Sequence, residues 1–194
     1  GPQVFTEVIP AVRSVSVGVW VPIGSRHETR ATAGATHFLE HLLFKGTPKH
    51  PNIDQEFNQR GVRYNGTTWI DRTNYYAVIP REHLEGYVAV EADRMRNLLL
   101  REEDRKPEMT VVRNEFEIGE NDPRESLDKE IWGTAFQAHP YHHSTIGWRS
   151  DIENVKEENL RAFYRMYYQP DNAVLLVAGK FDEAKALRLV ADAF

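Results

Sequence analysis

A chain of 194 residues, 41% apolar and 27% charged, with a formal net charge of −5, is long enough for one large domain and apolar enough to give it a core. No long basic run is present, which argues against a nucleic-acid partner, and no stretch approaches eighteen apolar residues, so no span across a membrane is expected. Cysteine is absent, which rules out disulfides and thiolate ligands and leaves His, Asp and Glu to hold any metal.

No secretory signal opens the chain. Gly1-Pro2 looks like the scar of a tag-removing protease, so a leader could have been cut away, and a bacterial cytoplasm or periplasm is the expected compartment. Val4 to Val8 reads as a short strand ended by Pro10. Ser14 to Val21 alternates small or polar residues with apolar ones, as a half-buried strand does. Ile23 to Gly34 is polar and reads as a loop. His27 within it falls outside any metal spacing. A helix follows around His37 and is closed by Lys45-Gly46-Thr47-Pro48. A short helix is expected from Asn52 to Arg60. Val62 to Trp69 and Thr73 to Ile79 form a hairpin rich in aromatic and β-branched residues. Glu82 to Leu100 is a helix with Leu84, Val88, Ala92, Met95 and Leu99 on one face.

Another helix is expected to begin at Pro107, a favoured first position, and to run to Glu120, with Val111, Val112, Phe116 and Ile118 on its buried side. A further helix covers Arg124 to Phe136, and Gln137 to Ser150 is a loop rich in His, Tyr and Gly. Val155 to Tyr168 is helical. Asn172 to Ala178 is a strand whose continuous apolar run predicts a central place in the sheet. Asp182 to Phe194 is a last helix, capped near Asp182. This order predicts an α+β fold in a single domain, residues 1–194, rather than βαβ alternation.

The chemistry concentrates in Ala35-Thr36-His37-Phe38-Leu39-Glu40-His41-Leu42-Leu43-Phe44. On a helix, positions i, i+3 and i+4 share a face, so His37, Glu40 and His41 project together. Two neutral imidazoles one turn apart can bind one zinc ion, and a carboxylate beside them can take a proton from the water such a metal activates. The spacing H-x-x-E-H inverts the commoner H-E-x-x-H. The bland alternative is an amphipathic helix with two hydrogen-bonded histidines. A catalytic zinc needs a further protein ligand, and the helix from Pro107 offers Glu108, Glu115, Glu117 and Glu120. Glu108 and Glu115 are two turns apart on one face. His139, His142 and His143 form a second histidine cluster, read as a structural loop. Trp20, Trp69, Trp132 and Trp148 are read as packing residues.

With these residues in view, the chain resembles the N-terminal half of a pitrilysin (insulinase) family metallopeptidase. The resemblance rests on His37 to Thr47, Asn65-Gly66-Thr67-Thr68, Asp71-Arg72-Thr73-Asn74-Tyr75-Tyr76, Glu108, Val111-Val112-Arg113-Asn114-Glu115, His139-Pro140-Tyr141, Thr145-Ile146-Gly147 and Ala178-Gly179, in family order over essentially the whole chain. It implies a mostly antiparallel sheet packed against helices, one half of a two-half peptidase clamshell. It implies a zinc endopeptidase of unfolded peptides, with His37, His41 and Glu115 as ligands, Glu40 as general base and Glu108 as a carboxylate behind the ligands. Glu117 is the fallback ligand. Asn65, Gly66 and Thr67 match the edge strand that holds an extended peptide substrate. The family often has alanine at the position of Gly66, and the interval from His41 to Glu115 is slightly shorter here. The resemblance also implies a partner: a homologous C-terminal half, a second subunit, or a second copy. In other members that half carries an arginine and a tyrosine that grip substrate. Relatives that serve only in assembly usually lose the ligands or the base, and here His37, Glu40, His41 and Glu115 all remain.

Overall fold

The computed structural model describes residues 1–194. Five strands, β1 (Gln3–Val8), β2 (Ser14–Val21), β3 (Arg63–Thr68), β4 (Thr73–Pro80) and β5 (Val174–Gly179), form one sheet in the order β1-β5-β2-β4-β3. Three of the pairings are antiparallel; β1 and β5 run parallel. The helices are α1 (Ala35–Leu42), α2 (Ile53–Gln59), α3 (Leu84–Asn97), α4 (Glu102–Glu120), α5 (Pro123–Ala135), α6 (Arg149–Asn154), α7 (Glu157–Tyr167) and α8 (Glu183–Ala193). The α+β class and the mostly antiparallel sheet are as expected.

One core joins the sheet to α1, α3, α7 and α8. Val15, Val17, Val19 and Val21 of β2 are buried together with Leu175 and Val177 of β5, Ala77 and Ile79 of β4, Phe38, Leu39 and Leu42 of α1, and Leu160 and Phe163 of α7. The period of two along the strands and the spacing along the helices put these side chains on the facing surfaces. The opposite sheet face stays open: Phe5, Leu176, Tyr76 and Val78 are all exposed.

One expectation is met and three are corrected. The strand over 172–178 lies inside the sheet, paired with β1 on one side and β2 on the other. Its run is apolar throughout, yet Leu175 and Val177 face the core while Leu176 faces out. The helix expected from Pro107 starts five residues earlier, at Glu102. Glu102, Glu103 and Asp104 fill its first turn, where acids meet the positive end of the helix, and Arg105 pairs back to Glu102. On that helix Val112 is buried, but Val111 is 48% and Ile118 71% exposed. Finally, α6 takes the end of the expected loop, because Asp151 accepts a hydrogen bond from the Trp148 N–H at 3.0 Å and so starts a short helix there.

Candidate metal centre

α1 is held from both ends. Gly34, at φ 78°, turns the chain into it in a left-handed conformation that suits glycine. Glu28 reaches back to accept hydrogen bonds from the Gly34 and Thr36 N–H groups, both at 2.8 Å, and so satisfies donors that a helix start leaves unpaired. Burial pushes the Glu28 carboxyl up to about 7 against the pull of those bonds. Nothing in the polar 23–34 segment singled out this residue. Beyond the helix, Phe44 packs between Tyr64 and Tyr75. The Arg94 guanidinium lies over both Phe44 and Tyr75, at 4.9 and 4.5 Å from the ring centres, and pairs with Glu91 at 2.6 Å, both side chains fully buried. The site thus stands on a rigid base.

From this helix His37 and His41 turn toward α4. His37 Nε2 lies 3.6 Å from one Glu115 oxygen and His41 Nε2 3.4 Å from the other. The ligand atoms of His37, His41 and Glu115 all lie within 4.8 Å of one another, the one cluster of three such side chains in the chain. Glu117, the fallback, pairs instead with Arg149 at 3.7 Å. His41 Nδ1 donates to Glu108 Oε1 at 2.8 Å, and the other Glu108 oxygen takes Lys45 Nζ at 2.5 Å. A carboxylate on Nδ1 fixes the tautomer that leaves Nε2 free as a ligand. His37 Nδ1 is buried without a partner, so Nε2 is the atom that imidazole turns to the cluster. Two imidazole nitrogens and a carboxylate from two helices are a donor set that suits zinc.

The electrostatics follow. Burial pulls His41 down, but hydrogen bonds to Glu108 and Glu115 outweigh it and raise the imidazole to about 9. Contacts with His37 and His41 hold Glu115 far below the usual carboxylate range. Burial alone would push Glu108 up; His41 and Lys45 bring it below its ordinary value.

Glu40 is buried and leans on β3, accepting a hydrogen bond from Thr68 Oγ1 at 2.6 Å. Gly66 makes room for it: a Cβ there would stand 2.9 Å from a Glu40 oxygen. β3 is an edge strand, paired only with β4. The Trp69 N–H donates to the Arg72 carbonyl at 2.8 Å, and in an antiparallel ladder such bonds alternate. With the observed register, Asn65 and Thr67 therefore turn their N–H groups into the sheet, while Gly66 and Thr68 turn theirs to the open edge. The Gly66 N–H bonds locally to the Asn65 side chain at 2.9 Å. The Thr67 side chain lies on the far face, with Asn74 and Arg72. Of the three residues expected to meet substrate, only Gly66 has its N–H on the free edge, and Thr68, which the sequence reading left out, joins it. Alternation would have found this had the hairpin turn been fixed to one residue.

A groove runs from His37 and Glu115 between Thr68 to Ile70, α4 and α5, with Phe116, Leu127, Ile131 and Trp132 in its walls. His143 of the histidine-rich loop lines this groove too, but none of the loop's three histidines belongs to the metal cluster. The Nδ1 atoms of His139, His142 and His143 each meet nearby backbone groups. No helix is long and apolar enough to cross a membrane.

The chain is similar to known proteins over its whole length. Residues 3–148 match the family described as Insulinase (Peptidase family M16), and residues 154–194 match a second one, Peptidase M16 inactive domain. All the residues around the metal cluster lie within the first match. An uncharacterized zinc protease of Mycobacterium leprae is 37% identical over 100% of this chain and 44% of its own length. Zinc protease PqqE of Helicobacter pylori is 34% identical over 90% of this chain and 40% of its own. A crystal structure of a protease from Helicobacter pylori superposes with a TM-score of 0.93 at 32% identity, covering 100% of this chain and 48% of that one. The chain spans a little under half the length of the curated relatives it matches. With the match over 3–148 and the relatives at this identity, the chain belongs to the insulinase family of zinc proteases, peptidase family M16.

Proposed function

We propose that this chain carries the metal-binding part of a zinc endopeptidase acting on extended, unfolded peptides. The observation that carries the reading is the meeting of His37, His41 and Glu115 within 4.8 Å, with Glu40 on the same helix beside them and a free sheet edge alongside. In this reading His37 Nε2, His41 Nε2 and Glu115 hold the ion, and Glu108 orients His41. Zinc, when bound, supplies Lewis-acid chemistry that makes water a nucleophile near neutral pH. Glu40 would be the group that holds the proton between an attacking water and the leaving amine. The peptide lies as an added strand along β3, held by backbone hydrogen bonds that tolerate many side chains at the edge formed by Asn65, Gly66, Thr67 and Thr68. A folded substrate cannot present such a strand. The bacterial sources of the relatives are in keeping with a bacterial cytoplasm or periplasm.

The test separates binding from chemistry. Glu40→Gln should retain zinc and lose hydrolysis of a quenched peptide by on the order of 10²-fold or more, while His41→Ala should lose the zinc. Wild-type cleavage by Glu40→Gln would refute the base, and full zinc occupancy in His41→Ala would refute the ligand set.

A second reading is favoured by one observation, the span of less than half of each curated relative. In it the chain binds zinc but turns over weakly until a homologous second half, a second subunit or another copy contributes further peptide contacts, since remote contacts position the scissile bond. A matching C-terminal half that raises the rate at constant zinc content supports this reading; a fast, saturable peptidase from a monomeric preparation of the chain alone excludes it.

A further inference from the structure

The Glu40 carboxylate is seated by the edge strand rather than by its own helix. One oxygen takes the Thr68 hydroxyl at 2.6 Å. The other lies against Gly66, where even a methyl group would stand 2.9 Å away. Side chains alternate along a strand, so Tyr64, Gly66 and Thr68 share the face toward α1. Tyr64 packs there on Phe44 and Phe57, while the Thr67 side chain is engaged on the far face. Thr68 thus carries two groups with separate destinations: its hydroxyl goes inward to Glu40 and its N–H outward to the free edge.

We propose that Thr68 is a positioning residue for Glu40, fixing the carboxylate through its hydroxyl within the same short strand that would receive the peptide backbone. The inference rests on the peptidase reading given above. A buried carboxylate on a side chain with three rotatable bonds can adopt several orientations, and one short hydrogen bond from a strand, together with the missing Cβ at position 66, selects one of them. A peptide added along β3 would then be held in register with the base, because both are tied to the same residue.

The test compares Thr68→Val, which keeps the shape and removes the donor, with Thr68→Ser, which keeps the donor, in the zinc-loaded chain. Zinc content should stay at the wild-type level in both. For Thr68→Val, kcat should fall about 10–100-fold, the size of loss that follows when a metal ligand is deprived of its hydrogen-bond partner, taken as the scale for the base, with KM within about twofold; Thr68→Ser should recover most of the rate. A second readout needs no turnover. The drop in thermal midpoint caused by Thr68→Val should vanish in a Glu40→Ala background, because the acceptor is already gone. Wild-type kcat in Thr68→Val, in a protein whose Glu40→Gln variant is inactive, would overturn the positioning role and leave the base intact. Equal midpoint drops in both backgrounds would overturn it too. A Glu40→Gln variant that cleaves at the wild-type rate would instead bring down the base assignment, and this inference with it.

Discussion

Zinc binding to this chain should be coupled to one proton on His41. Without metal, hydrogen bonds to Glu108 and Glu115 outweigh burial and raise that imidazole from 6.5 to about 9. At pH 7 it is almost wholly protonated, and a protonated imidazole cannot ligate. Releasing the proton at pH 7 rather than pH 9 costs roughly 2.7 kcal/mol, at 1.36 kcal/mol per pH unit. Apparent zinc affinity should therefore rise about tenfold from pH 7 to pH 8 and about fiftyfold from pH 7 to pH 9, where half of the imidazole has lost its proton. Glu115 adds nothing to the slope there, since it is held ionised far below this window.

The metal-free chain should show the reverse trend in stability. A pKa raised by folding stabilises below the unfolded value, and that contribution is lost as pH rises through the folded value. Roughly 3 kcal/mol should thus drain away between about pH 6.5 and 9, a loss this histidine cannot impose once zinc has displaced its proton. Titration against a competing chelator gives the affinity at each pH, and calorimetry in two buffers of different ionisation heat gives the proton count at pH 7. An affinity that stays flat from pH 7 to pH 9, or a proton count near zero at pH 7, would refute the assignment of His41 as a ligand braced by two carboxylates. In Glu108→Gln the same rise should move to lower pH, since one of the two carboxylates is gone.

Strand addition predicts an alternating pattern in the substrate: in a scan of singly N-methylated peptides bound to zinc-loaded Glu40→Gln, every second methyl group near the scissile bond should weaken binding, and a pattern without period two would exclude pairing along β3. Glu91→Gln should lower stability by about 3 kcal/mol or more in a denaturant titration, because it strands the Arg94 charge in a fully buried place; a loss below about 1 kcal/mol would mean that the stacking on Phe44 and Tyr75 suffices. Glu28→Ala should cost about 1–2 kcal/mol by the same assay, as for loss of a helix cap, and should weaken zinc binding with it; unchanged zinc affinity would show that the start of α1 does not control the ligands.

Much of the site was legible because it is local. His37, Glu40 and His41 fall within five residues, and the geometry of a single helical turn brings them to one face whatever surrounds it. The pairing of Thr73–Ile79 with the preceding strand was likewise set by nearest neighbours and a short turn. Glu115 is different: spacing along one helix offered four acids, the family resemblance chose among them, and only the packing of α4 beside α1 brings its oxygens to 3.4 and 3.6 Å from the two imidazoles. The apolar run in β5 hid which of its residues face outward, because hydrophobicity is blind to a sheet covered on one side. Val111 and Ile118 are apolar yet exposed, because the face of α4 they share with Glu115 is not covered by the core. The open-edge donors of β3 depended on ladder phase, and a shift of one residue exchanges Gly66 and Thr68 for Asn65 and Thr67. Sequence fixes side-chain chemistry and local period; phase, facing and the meeting of distant carboxylates come from tertiary contacts, because each depends on a partner dozens of residues away.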